Sequence, residues 1–205
     1  MNLNDANAIK ALLIDYLLNL YDKEILFGSE LIFGKKKRSL DLVLVDDFLS
    51  GFEIKASNDD FRRVRGQLND YKKIFDFQYL VVTENHLDKA RKVIYGNEGI
   101  IVVQNDLRLF LYKKPNLILK HSKQDILETI PGSFLASYFG VNKYKNVVEL
   151  RTILSRKKLG DLKIALFDYL NFQLLPRNEL FFFERGSCTH PEDIRLLSSS
   201  SISVL

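Results

Sequence analysis

The sequence predicts an α/β fold, in which a mixed sheet lies between helices and a helical region follows. Segments with helical period alternate with short segments of period two up to about Tyr112, in the order α-β-β-β-α-β-α-β, and one more strand follows. From Pro115 onward the pattern is helical. We therefore predict a core over residues 1–115 and a mostly helical region over 116–205 packed on it, with a flexible tail over 198–205.

The N-terminal segment predicts an amphipathic helix. Apolar residues recur at helical spacing over Ala8–Leu20, and Asn4 or Asp5 precedes them as a cap. Lys10 and Asp15 interrupt the apolar run, which is too short and too charged for a membrane span or an export signal. We expect a cytoplasmic protein with no membrane partner.

Three strands are predicted next, as a meander. Glu30–Phe33 is short and β-prone, and Arg38–Val45 alternates, with its three leucines on one face and Asp41 with two valines on the other. Asp47–Ser50 supplies the residues of a hairpin turn, and Phe52–Lys55 alternates again.

The remaining elements follow from the same patterns. A helix is predicted from Ser57 or Asn58, with Ser57 and Asp60 as a loose capping box. Further elements are predicted at Tyr79–Thr83, Leu87–Ile94, Gly99–Val103, Leu107–Tyr112, Val147–Leu154 and Leu162–Leu175. Pro131 and Pro176 predict breaks in the helical region.

Composition excludes several classes of protein. Of 205 residues, 12% are aromatic and only 10 are Gly and 4 are Pro, which excludes disordered, collagen-like and coiled-coil chains. The single cysteine, Cys188, excludes a disulfide framework and fits a reducing compartment. Lys and Arg number 30 against 26 Asp and Glu, and this net charge of +4 permits a nucleic-acid partner without indicating one.

Two carboxylates are predicted to approach each other across neighbouring strands. Period two places Glu53 and Lys55 on one face of their strand, and a hairpin would bring Asp41 of the preceding strand close to Glu53. Charged groups at the centres of apolar strands are costly to bury without partners. Because two adjacent carboxylates repel, a divalent cation is the usual remedy, and a nearby lysine offers charge compensation.

The helix after the hairpin adds a polar stripe. Asp59, Arg63, Gln67 and Tyr71 are spaced by four residues. Further cations flank them on the same element, namely Arg62, Arg65, Lys72 and Lys73. An acidic cluster beside a basic helix suits phosphodiester cleavage, because metal ions neutralise the scissile phosphate and cations hold its neighbours.

These motifs resemble those of the PD-(D/E)XK nuclease superfamily. Asp41 followed by Glu53-Ile54-Lys55 resembles its signature, and Gln67 with Tyr71 resembles the Q-x-x-x-Y motif of the RecB-like branch. Over about Asp5–Gly99 the chain also resembles a group of small, largely uncharacterised bacterial proteins of this superfamily. Two positions depart from the pattern: Leu40 replaces the proline before the motif aspartate, and Ala56 replaces a serine.

The resemblance implies a restriction-endonuclease-like core and a role for each motif residue. Asp41, Glu53 and the backbone carbonyl of Ile54 would ligate Mg²⁺ or Mn²⁺. Lys55 would orient or deprotonate the attacking water. The remaining roles would fall to Glu30 as an additional metal ligand and to Gln67 and Tyr71 as residues that position water, Lys55 or the substrate phosphate.

The predicted function is that of a metal-dependent nuclease for DNA, in repair, recombination or defence against phages and mobile elements. Candidate nucleic-acid contacts are Lys35, Lys36, Lys37, Arg38, Arg62, Arg63, Arg65 and Lys72. The same residues also suit an ordinary charged turn and a solvated helix face. Tyr71 also fits the apolar stripe as a core residue, and Asp41 and Glu53 could be solvent-facing strand carboxylates.

Two other functions also fit the sequence. One is a binding or accessory module that keeps the fold and does not cleave. The other is a structural protein that forms a homo-oligomer through the aromatic C-terminal region, where Phe181–Phe183 suits either a core or a subunit contact.

Overall fold

The computed structural model describes residues 3–21 and 24–198, and its centre is a six-stranded mixed sheet. Helices flank this sheet on both faces, which confirms the predicted α/β class and the predicted order of elements. In chain order the elements are α1 (Ala6–Leu18), β1 (Leu26–Phe33), β2 (Arg38–Val45), β3 (Leu49–Lys55), α2 (Val64–Tyr71), β4 (Phe77–Thr83), α3 (Leu87–Val93), β5 (Gly99–Val103), β6 (Leu109–Lys113), α4 (Lys123–Thr129), α5 (Gly132–Phe139), α6 (Val147–Leu154) and α7 (Leu159–Glu184).

The strands lie side by side in chain order. β1, β2 and β3 form an antiparallel meander, β4 and β5 continue it in parallel, and β6 pairs antiparallel with β5. Parallel neighbours need a crossover connection, and α2 and α3 provide the two crossovers. The carboxyl end of β3 therefore lies beside α2.

The predicted start of α2 at Ser57 or Asn58 is wrong, because the helix begins at Val64. Side chains in the preceding segment bind backbone groups instead. Asp59 Oδ2 accepts a hydrogen bond from the Ala56 N–H at 2.8 Å, and Asp60 Oδ1 accepts one from the Arg62 N–H at 2.7 Å. Such local bonds favour turns over helix, so the predicted capping box does not form.

The predicted break at Pro176 is also wrong, because α7 continues through it to Glu184. Proline removes one hydrogen bond and crowds the preceding turn. Leu170 and Leu174 before it and Phe181 after it are buried, so packing on both sides holds the helix together. Pro131, by contrast, precedes the first turn of α5, where its missing N–H costs nothing.

The predicted alternation along β2 holds only in part. Leu42 belongs to the core between the sheet and α1, whereas Leu40 belongs with Val43 to the core under the C-terminal helices. The side chains of neighbouring β1 also change face opposite this position, since Phe27 faces α1 and Leu31 faces the C-terminal helices. The alternation therefore breaks at Asp41 on β2 and between Phe27 and Leu31 on β1.

The cause on β1 is visible in the backbone. Glu30 has a φ of 55°, in the left-handed region that L-residues other than Gly, Asn and Asp seldom adopt. Regular pairing resumes on either side, with Ser29 opposite Leu42 and Leu31 opposite Leu40. Glu30 and Asp41 face each other across this break.

The C-terminal helices share a hydrophobic core with β1, β2 and β3. At the outer edge of β1, Asn178 of α7 binds the backbone of Phe27, since its amide donates to the Phe27 carbonyl and its oxygen accepts from the Phe27 N–H, both at 2.8 Å. Ser198 makes an isolated parallel bridge with Ser29 at the same edge. These contacts cover an edge that would otherwise expose unpaired backbone groups.

Two predictions about the C-terminal region stay open. Most of the predicted flexible tail, residues 199–205, lies outside the described residues. Phe181 is buried in the core, whereas Phe183 is 83% exposed, so the aromatic run serves the core in part and the predicted homo-oligomer stays a prediction. Within residues 3–21 and 24–198, none of the helices combines the length and apolar character that crossing a bilayer requires.

We predict that Asn178→Ala destabilises the fold by about 2–4 kcal/mol, because both backbone groups of Phe27 lose their partner inside the protein. Urea denaturation followed by circular dichroism measures the change. Glu179→Ala, at the exposed neighbouring position, is the matched control and should stay within about 0.5 kcal/mol of wild type. Equal stability of the two variants would contradict the assigned role of Asn178.

Candidate active site

Glu53 is a buried carboxylate at the carboxyl end of β3, with only 2% of its surface exposed. Its neighbours Phe52 and Ile54 face α1, so Glu53 and Lys55 face α2. Lys55 Nζ and Gln67 Nε2 each donate to Glu53 Oε1 at 2.7 Å. A buried ionised carboxylate is tolerated only with such donors, and this burial excludes the solvent-facing interpretation of Glu53.

Tyr71 lies one turn after Gln67 on α2 and also reaches this carboxylate. Its hydroxyl oxygen lies 2.5 Å from the Ser39 carbonyl oxygen and 3.2 Å from Glu53 Oε2. Its ring is buried in the core under the C-terminal helices, so Tyr71 is both a core residue and part of the site. Burial, followed by the charges of Glu53 and Asp41, raises the pKa of this phenol, which therefore stays a hydrogen-bond donor at neutral pH.

Asp41 lies on β2, one step beyond the pairing of Leu42 with Phe52, and therefore across from Glu53. Its Oδ2 atom accepts a hydrogen bond from the Ile54 N–H at 2.7 Å, which fixes the carboxyl group beside β3. Burial and the negative charge of Glu53 raise the pKa of Asp41 to about 7. The predicted approach of these two carboxylates is confirmed by this geometry.

Glu30 is held differently from the other two acids. Lys10, on α1, forms an ion pair with Glu30 Oε1, and the Ser39 hydroxyl donates to Glu30 Oε2 at 3.2 Å. Lys10 Nζ also donates to Ser29 Oγ at 3.3 Å. A continuous polar network therefore runs from Lys10 through Glu30 and Ser39 to Tyr71 and Glu53.

The predicted basic turn makes ion pairs within the protein while remaining exposed. Lys36 Nζ and Arg38 Nε lie 3.0 Å and 3.2 Å from carboxylate oxygens of the buried Asp70. Lys37 Nζ donates to the backbone carbonyl of Glu128 at 2.6 Å. The Lys35 N–H donates to Asp125 Oδ1 at 3.1 Å. The turn therefore connects the strands with α2 and α4, and its contact with nucleic acid stays a prediction.

The arginines before and on α2 lie at the surface. Arg62 pairs with Asp60, and the guanidinium of Arg65 lies 4.2 Å from the ring centroid of Tyr95. Arg63 and Lys72 are exposed at the two ends of the helix. Asp59 is not on the helix, so the predicted four-membered stripe is reduced to Gln67 and Tyr71, with Arg63 at the start.

The donor set suits a hard divalent cation in part. Asp41 and Glu53 supply carboxylate oxygens of the kind Mg²⁺ prefers. Gln67 Oε1, beside Glu53, is buried and has no hydrogen-bond donor among the described residues, so it could accept from an added water. The described residues nevertheless contain no group of three or more His, Cys, Asp or Glu side chains placed to hold a metal. The site therefore fits a cation on two carboxylates, and Glu30 as a ligand stays a prediction.

Lys10, Ser29 and Ser39 belong to the site and were not predicted as site residues. Lys10 precedes the buried Leu13, Ile14 and Leu17 by three, four and seven residues, which places it on the buried face of α1. That spacing is a signal, since a lysine on a buried helix face needs an acidic partner. Ser29 accepts from Lys10 and donates to the Asp41 carbonyl, while Ser39 donates to Glu30 and accepts from Tyr71 through its carbonyl. The sequence gives no distinctive pattern for such serine contacts.

We predict that Asp41→Asn stabilises the metal-free protein at pH 8 by on the order of 2–4 kcal/mol. The folded state has the higher Asp41 pKa, so wild type loses stability as pH rises from about 4 through about 7. Asparagine removes this loss and keeps an oxygen that accepts the Ile54 N–H. Urea denaturation in EDTA at pH 5 and pH 8 measures the difference, which should shrink at pH 5.

Asp70→Asn is the matched variant, and its effect on stability should have the opposite sign. Burial alone would raise the pKa of Asp70, but hydrogen bonds from Lys73, Lys36 and Arg38 outweigh burial and lower it. This variant should lose stability at neutral pH and approach wild type in acid. If Asp41→Asn also destabilised the protein at pH 8, the raised pKa of Asp41 would be contradicted.

Comparison with known proteins identifies the family to which the chain belongs. A solved structure of a protein of unknown function from Silicibacter pomeroyi resembles the chain with a TM-score of 0.37 and 12% sequence identity. The match covers 48% of this chain and 64% of that protein, so the chain spans less than two thirds of it. A comparison with curated proteins finds no match. A family model described as Bacteriophage P4 protein cII matches residues 1–198, and the chain therefore belongs to the bacteriophage P4 cII family.

Proposed function

We propose that this protein is a Mg²⁺- or Mn²⁺-dependent nuclease of the PD-(D/E)XK type, which hydrolyses phosphodiester bonds of DNA. The observation that supports this most is the convergence of Lys55, Gln67 and Tyr71 on the buried Glu53, with Asp41 across from it. Two neighbouring carboxylates would destabilise a purely structural sheet, because each raises the free energy of ionising the other.

In this proposal Asp41, Glu53 and the Ile54 carbonyl would hold the cation. When bound, the cation would supply Lewis-acid activation of the scissile phosphate and of a water molecule. Lys55 donates to Glu53, and its ammonium group would stabilise the negative charge that develops on the phosphate. Gln67 keeps its Oε1 atom available to orient a water, while its amide nitrogen stays bound to Glu53.

The surface cations supply the substrate contacts in this proposal. Arg62, Arg63, Arg65 and Lys72 lie before and on α2, the helix that also carries Gln67 and Tyr71. Cations in such a position bind phosphates on either side of the scissile bond and make binding dependent on salt. The family takes its name from a bacteriophage protein, which favours phage or mobile-element DNA over general repair and recombination as the setting.

We expect wild-type protein to cleave plasmid, linear or branched DNA in Mg²⁺ or Mn²⁺ and to lose this activity in EDTA. Glu53→Gln and Lys55→Met should each reduce the cleavage rate by at least about a hundredfold, because each removes a charge from the reacting centre. Gel electrophoresis of the products over time measures the rate. Asp106→Asn, at an exposed position between β5 and β6, is the control and should match wild type.

Absence of cleavage by wild type on all three DNA forms, with RNA also intact, would overturn the proposed function. Undiminished cleavage by Glu53→Gln would show that any nuclease activity arises elsewhere or from a contaminant. Circular dichroism of each variant separates loss of activity from loss of fold.

A second variant tests the position of Tyr71. Tyr71→Phe keeps the buried ring and removes only the hydroxyl that reaches Ser39 and Glu53. We predict a loss of about tenfold to a hundredfold in cleavage rate with a fold that remains intact. If the rate were unchanged, Tyr71 would be a core residue only.

The alternative is a nucleic-acid-binding or accessory module on the same fold that does not cleave. The described residues contain no three-acid metal group, and this favours the non-cleaving module. Calorimetric titration of Mn²⁺ into wild type and Asp41→Asn separates the two functions. DNA retardation without metal binding would support the module.

A further inference from the structure

Lys10 is a buried cation, with 1% of its surface exposed. Its side chain reaches from α1 to the middle of β1. Its ammonium group contacts Glu30 Oε1 and Ser29 Oγ. Burying an ammonium group without an acidic partner is very unfavourable, and Glu30 is the acidic partner of Lys10. Lys10 also lowers the cost of ionising Asp41 on the neighbouring strand, since its positive charge opposes the effect of Glu53.

Glu30 does not join the other two acids, since the described residues contain no group of three such side chains placed to hold a metal. Glu30 lies across from Asp41, where three carboxylates in a row on β1, β2 and β3 could surround a cation. Instead, Lys10 holds one of its oxygens and the Ser39 hydroxyl holds the other. The backbone of Glu30 has a left-handed conformation at this same position.

We infer that Lys10 is a positioning residue that holds Glu30 apart from the Asp41–Glu53 pair, so that the centre binds one divalent cation on two carboxylates. The inference rests on the proposed function and adds to it the number of cations and the residue that limits it. The positive charge of Lys10 acts in the same direction, because it neutralises Glu30 and repels a second cation.

A double-mutant cycle with Mn²⁺ as the probe tests this inference. Free Mn²⁺ measured by electron paramagnetic resonance gives stoichiometry and Kd for wild type, Glu30→Gln, Lys10→Met and the double variant. Wild type should bind one Mn²⁺ per chain, and Glu30→Gln should change Kd by less than about threefold. Asp41→Asn is the positive control and should weaken binding by at least about tenfold.

Lys10→Met frees Glu30 while filling a similar volume. We expect it to bind Mn²⁺ at least about tenfold more tightly than wild type, and adding Glu30→Gln should remove this gain. The effect of Glu30→Gln would then depend on whether Lys10 is present. If charge alone acted at a distance, Glu30→Gln would have the same effect in both backgrounds, and that additive result would overturn the inference.

Three further results keep the test decisive if Lys10→Met does not fold. Lys10→Arg keeps the charge, and its Kd should stay within about threefold of wild type. Loss of Mn²⁺ affinity in Glu30→Gln as large as in Asp41→Asn would show that Glu30 is a ligand and would overturn the inference alone. Absence of any Mn²⁺ binding by wild type would overturn the proposed function as well.

Discussion

The carboxylate of Glu53, buried at the end of β3, is the constraint on which the arrangement of this site depends. Such a group is stable in a dry environment only if donors surround it. Lys55 comes from the same strand, while Gln67 and Tyr71 come from α2, so the crossover helix has to pass over this end of the sheet. Side chains in the segment before α2 bind backbone groups and delay its start, so that α2 is only eight residues long and carries both Gln67 and Tyr71.

A second constraint arises where the side-chain alternation breaks. A regular strand would place Phe27 and Leu31 on one face, yet they belong to different cores. The left-handed conformation of Glu30 accompanies this change, at a cost of about 1–2 kcal/mol. The break lets β1 and β2 fill both cores with apolar residues while their polar residues, Glu30 and Asp41, lie at the transition between the two faces.

The sequence predicted the part of the site that follows from regular periods. Period two on β3 placed Glu53 and Lys55 together, and the four-residue spacing on α2 placed Gln67 with Tyr71. The failures have physical causes. Periodicity assumes regular backbone, so it missed the break at Asp41 and the delayed start of α2. Proline propensity is a local term, and the packing of α7 outweighs it at Pro176. The connection from Lys10 to Glu30 spans 20 residues and depends on how α1 packs on the sheet.

The pKa of Asp41 gives a reason to regard this cluster as functional rather than structural. A carboxyl group with a pKa near 7 in the folded protein makes the fold less stable at neutral pH than an uncharged residue of the same shape. Lys10 and Lys55 reduce this cost without removing it, since the pKa remains raised. A dication on Asp41 and Glu53 would outweigh their mutual repulsion, because each carboxylate would then be attracted to a shared charge of +2. The instability of the metal-free site is thus the same property that would give it affinity for the proposed cation.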